Sequence, residues 1–164
     1  MNNILNLGKN ICGDDMIKDI MSYKIISGNT DDSFKDIASL MKKNNIGFIP
    51  IKKNNDFVGV ITDRDICLAI SNLNNINDSI KSYITNNIVY IDINDSIKSA
   101  LDTMSKYKVK RLLVKDNNEI VGVLSLSDIL NYTSYPSIIN TYKTIFYIHD
   151  NTDRIHTEID EFYL

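Results

Sequence analysis

The feature that most constrains this chain is an internal repeat. Gly59-Val60-Ile61-Thr62-Asp63-Arg64-Asp65-Ile66 returns as Gly122-Val123-Leu124-Ser125-Leu126-Ser127-Asp128-Ile129, 63 residues later. At that offset residues 17–66 align with 80–129 without a gap, and 16 of the 50 pairs are identical. Register held over that length marks a duplication. A unit of this size buries too little surface to be stable alone. The expectation is therefore one intramolecular pseudo-twofold body, with the two copies packed sheet to sheet around a shared core.

Each copy reads β-α-β-β-α, an α/β (α+β) pattern. A short strand comes first, Lys24-Ile25-Ile26 or Asn87 to Ile91. Ser33 and Ser96 are placed to cap the next helix. Its apolar face carries Phe34, Ile37, Leu40 and Met41 in one copy, and Ile97, Ala100, Leu101 and Met104 in the other. A hairpin follows, with strands Phe48–Ile51 and Phe57–Ile61, or Leu112–Val114 and Ile120–Leu124. Its polar turns hold Asn54-Asn55 and Asn117-Asn118. A second helix starts at Thr62 or Ser125. The copies span 12–72 and 76–132. Residues 133–164 are unrepeated; Pro136 can open a helix there, with Ile138, Ile139, Tyr142, Ile145 and Phe146 on one face, before an acidic tail.

Composition narrows the function. The chain has 28 Ile, which favour strands and buried positions, and 21 Asn, which favour turns and caps. The net charge of −3 gives no broad basic field for nucleic acid or an anionic membrane. No run approaches the ~18 apolar residues of a membrane span. The N-terminus lacks the pattern of a signal peptide. Cys12 and Cys67 form no CxxC pair and no metal spacing, so a reduced, cytoplasmic protein is expected. His149 and His156 lie outside the repeats, and no catalytic triad is readable.

The signature Gly-h-x-h-Thr/Ser-x-x-Asp (h, hydrophobic), present twice in register, resembles the CBS domain family, named after cystathionine beta-synthase. Lys18-Asp19-Ile20-Met21 and Ile46-Gly47-Phe48-Ile49-Pro50-Ile51 strengthen the likeness, which covers roughly residues 12–132. Tandem pairs of this family are called Bateman modules. The resemblance implies a regulatory, non-catalytic module of the small stand-alone bacterial type. It implies binding of an adenosine-containing ligand between the repeats, with AMP, ADP or ATP expected here. It also implies homodimerisation, no required cofactor, and output through an effector protein that the sequence does not name.

The resemblance assigns ribose contact to Asp65 and Asp128, and ribose or phosphate contact to Thr62 and Ser125. A carboxylate can accept hydrogen bonds from two adjacent hydroxyls, and a helix N-terminus favours phosphate. The other reading of Thr62-x-x-Asp65 and Ser125-x-x-Asp128 is a capping box; both roles can coexist. Arg64, Arg111 and, more weakly, Lys110 and Lys24 are candidate phosphate contacts, since the guanidinium fork suits phosphate better than an ammonium. Ile25, Ile26, Ser27, Phe48, Ile49 and Pro50 in one copy are candidates to flank a base. Val89, Tyr90, Ile91, Leu112 and Leu113 are their counterparts, with Tyr90 the candidate stacking partner. The alternative for these alternating strand residues is core. Leu113 departs from the proline usual at its position, so the two clefts are expected to differ. The competing function is a ligand-independent dimerisation or adaptor protein with vestigial clefts.

Overall fold

The computed structural model describes residues 16–71 and 75–132. The first repeat contains β1 (Gly28–Asn29), α1 (Phe34–Asn44), β2 (Phe48–Lys53), β3 (Asp56–Thr62) and α2 (Asp63–Ile70). The second contains β4 (Tyr90–Asp92), α3 (Ile97–Tyr107), β5 (Arg111–Asp116), β6 (Glu119–Ser125) and α4 (Leu126–Tyr132). Each repeat builds a three-stranded sheet in sequence order, its first pair parallel and its second antiparallel. A parallel pair needs a crossover, which α1 and α3 supply.

Local chemistry sets the boundaries. Ser33 accepts a hydrogen bond from the Asp36 amide, and Ser96 from that of Ser99, so both expected caps form. Asn45 and Lys108 end α1 and α3 at φ 53° and 55°. The hairpin turns place Asn54, Asn55 and Asn117 at positive φ, which asparagine tolerates better than most residues. The first strands lie further along than expected. Residues 24–27 run beside the sheet without joining it, and β4 begins at Tyr90 rather than Asn87.

The expected single core is instead two, each completed by the other repeat. The 3-10 turn Ile17–Asp19 and the segment after it pack on the second repeat, where Ile17 and Met21 join Ile97, Leu101, Met104, Leu112 and Leu124. The equivalent 3-10 turn Ile80–Tyr83 packs on the first, where Ile80 joins Phe34, Ile37, Ile49, Ile51 and Ile61. Backbone bonds fasten both crossings. Ser22 and Val123 exchange N–H···O bonds of 2.9 Å each way, as do Thr85 and Val60. The pairing Met16–Ser96 is matched by Ser79–Ser33. The dependence of the halves on each other, expected from their size, is thus physical exchange of a segment.

This exchange explains the signature glycine. A Cβ on Gly122 would lie 2.7 Å from the Ser22 carbonyl oxygen, and one on Gly59 2.8 Å from that of Thr85. The crossing segment lies too close to the sheet for any side chain there. The expectations for 1–12 and 133–164, including Cys12 and both histidines, fall outside the described residues.

Candidate functional site

A cleft of about 320 Å³ lies between the repeats. One wall comes from the first repeat: Lys24 and Ile26 on the lead-in, Asn45, Ile46 and Gly47 after α1, and Phe48 and Pro50 on β2. The other comes from the second repeat: Arg111, Val123, Ser125, Ser127 and Asp128. Ser22, held to Val123 by the exchanged backbone bonds, closes the junction.

Ser125 and Asp128 are already joined. One Asp128 oxygen, Oδ2, accepts from the Ser125 amide at 2.7 Å and from its hydroxyl at 2.6 Å. The Asp128 amide donates back to Ser125 Oγ at 3.1 Å. Thr62 and Asp65 repeat the arrangement, with both bonds to Asp65 Oδ2 at 2.7 Å. The capping reading is therefore correct for both pairs. It leaves the other carboxylate oxygen of each Asp without a donor among the described residues, so an additional ligand role is open to both.

Arg111 and Phe48, equivalent by the repeat, meet across the pseudo-twofold axis. The guanidinium carbon sits 5.9 Å from the ring centroid. Lys110 as a whole residue is exposed, yet partial desolvation pulls its ammonium below its usual pKa. Repulsion from Arg111 and Arg64 adds to this, and Asp63 opposes it. A cationic centre thus borders the cleft.

Of the residues anticipated from sequence, Ile26, Phe48, Pro50, Arg111, Ser125 and Asp128 come together in this cleft, as does Lys24. Thr62, Asp65, Arg64 and Lys110 belong to the pseudo-equivalent position. Ile25 and Ser27 are half-buried on the lead-in and do not line this cleft. Ile49, Leu112 and Leu113 are fully buried, and Ile91 is 6 % exposed. Ile49, Ile91 and Leu112 belong to the two cores, while Leu113, next to Leu112 on β5, is buried on the opposite face of the sheet; only backbone atoms of these four remain for a ligand. Val89 and Tyr90 line a separate recess with Asn87, Ile88 and Tyr107. The Lys115 ammonium lies 3.7 Å from the Tyr90 ring centroid, so one ring face is covered. Burial raises the Tyr90 pKa. The cleft is also lined by Ser22, Asn45, Ile46, Gly47, Val123 and Ser127, which sequence reasoning did not name as site residues. The signal for Ser22 was available only in three dimensions, since it depends on the crossing.

Together the fold and cleft define a paired-repeat module with a composite pocket between its halves. The CBS domain family model matches residues 17–72 and 80–135, and the chain belongs to that family. It is similar to the CBS domain-containing protein YhcV of Bacillus subtilis, 28% identical over 114 residues covering 69% of this chain and 81% of that one. It is also similar to Hypoxic response protein 1 of Mycobacterium tuberculosis, 27% identical over 131 residues, 78% of this chain and 92% of that protein. Among solved structures, the CBS domain pair of protein MJ0100 in complex with 5′-methylthioadenosine and S-adenosyl-L-methionine matches at a TM-score of 0.64 and 27% identity. The match covers 71% of this chain and 93% of that one. No helix among the described residues is long and apolar enough to cross a membrane.

Proposed function

We propose that this chain is a non-catalytic regulatory module that binds an adenosine-containing ligand, of the AMP, ADP or ATP class, in the cleft between its repeats. The observation that carries the reading is the composition of that cleft. Ile26, Phe48 and Pro50 offer an apolar slot for a base. Asp128 offers an acceptor oxygen for ribose hydroxyls, and Arg111 a cation for phosphate. The adenosine compounds held by the MJ0100 pair support the reading at the level of the nucleoside. Because the walls come from different repeats, a ligand that prefers one relative arrangement shifts the population toward it. The altered arrangement, or a homodimer built on it, would then be read by another protein.

Thermal denaturation with AMP, ADP, ATP, S-adenosylmethionine and 5′-methylthioadenosine at millimolar concentration tests this. Ligand at 100 times its Kd stabilises by about 2.7 kcal/mol. For a chain of this length that raises the Tm by roughly 5–10 °C. Absence of any shift across the panel refutes the proposal.

A further inference from the structure

The two repeats place Pro50 and Leu113 at equivalent positions, 63 residues apart, and the difference between them has a consequence for the clefts. The Leu113 amide donates to the Val89 carbonyl at 3.1 Å, drawing the second lead-in onto β5 just ahead of the Tyr90–Leu113 pairing. Proline has no N–H, so Pro50 makes no such bond to Ile26, the equivalent of Val89. The parallel pairing of the first repeat accordingly starts later, at Gly28–Ile51. Ile26 and Pro50 are not paired with each other there, and both line the open cleft. Among the described residues nothing donates to the Ile26 carbonyl.

The surroundings change in the same direction. Gly47 and Ser127 line the open cleft, and their equivalents are Lys110 and Arg64, long side chains in place of none or a short one. Leu113 and Pro50 are both buried, so what separates the two positions is the amide rather than burial. On the lead-in side of the second position lies the recess of Asn87, Ile88, Val89, Tyr90 and Tyr107, about 340 Å³ in volume, which includes neither Thr62 nor Asp65 and so offers no ribose acceptor.

We propose that the chain binds one ligand, in the cleft between Ile26 and Asp128, and that the missing amide of Pro50 is what opens it, while Leu113 closes the pseudo-equivalent position. The proposal rests on the functional reading above. Pro50→Ala supplies the absent N–H and removes only the ring's Cγ and Cδ. Two measurements on the full chain test it. In amide hydrogen exchange followed by NMR, the new backbone amide of Pro50→Ala is expected to be protected, as the Leu113 amide is. Free exchange at that amide refutes the proposal without reference to any ligand. In native mass spectrometry and titration with AMP and ATP, the parent is expected to take one ligand per chain, and Pro50→Ala to weaken binding at least tenfold. Two ligands per parent chain, or binding by the variant within twofold of the parent, refutes this inference and leaves the functional reading standing. No binding of either nucleotide by the parent, with the new amide protected in the variant, counts against the functional reading and the ligand arm together.

Discussion

Replacing Gly122 by Ala tests whether the exchanged segment holds the halves together. The new Cβ would lie 2.7 Å from the Ser22 carbonyl oxygen and 3.0 Å from Met21 Cε. The first neighbour is backbone, so the segment itself must lift. Lifting it breaks the two 2.9 Å bonds between Ser22 and Val123, at about 1 kcal/mol each. It also uncovers Met21, now 7 % exposed; losing half of that burial costs about 1 kcal/mol more. Alanine restricts the unfolded chain and returns roughly 0.5–1 kcal/mol. The expected net loss is about 2 kcal/mol. Urea unfolding followed by circular dichroism should show the midpoint lowered by about 1 M at unchanged slope. A loss within about 0.5 kcal/mol, the range of an inconsequential surface change, would refute the close-approach account.

A chain reduced to residues 75–132 lacks Ile17 and Met21, both members of its core, and should show no cooperative melting; a native-like transition would contradict the exchange. Ser96→Ala removes the acceptor for the Ser99 amide and should cost about 1 kcal/mol by denaturant titration. Hydrogen bonds from the Ser33 side chain and backbone hold the Asp36 carboxyl below its usual pKa. Its contribution is therefore present above the unfolded-state pKa and fades as pH falls through the lower folded value. Ser33→Ala should flatten the acid limb of the stability profile in that range, and an unchanged limb would exclude the Ser33–Asp36 pair as its source.

Much of this architecture was legible because duplication prints the same pattern twice. The caps at Ser33 and Ser96, the asparagine turns and the Thr/Ser-x-x-Asp boxes depend on neighbours in sequence. They emerge where local chemistry places them. The exchange was not legible, because hydrophobic periodicity says that Ile17 and Ile80 are buried but not in which repeat. The late start of β1 turns on Pro50, whose missing donor acts on Ile26, distant in sequence. Ile49, Ile91 and Leu112 have the residue types of a base-binding wall, yet strand alternation turns their side chains into the cores. Tyr90 had the right ring but lies in another recess, beneath Lys115. Net charge hid the adjacent pair Lys110-Arg111, which is legible in the sequence, whereas Arg64 joins it only when the repeats pack.

Isothermal titration of the purified protein with AMP and with ATP, alongside Asp128→Ala, addresses the central claim directly. The cleft predicts saturable binding by the parent that is weakened at least tenfold by the substitution, because the free Asp128 oxygen is the acceptor offered to the ribose. Loss of the capping box costs the variant about 1 kcal/mol of stability and leaves it folded. Binding unaltered by Asp128→Ala, or no heat from either nucleotide at millimolar concentration, would contradict the account.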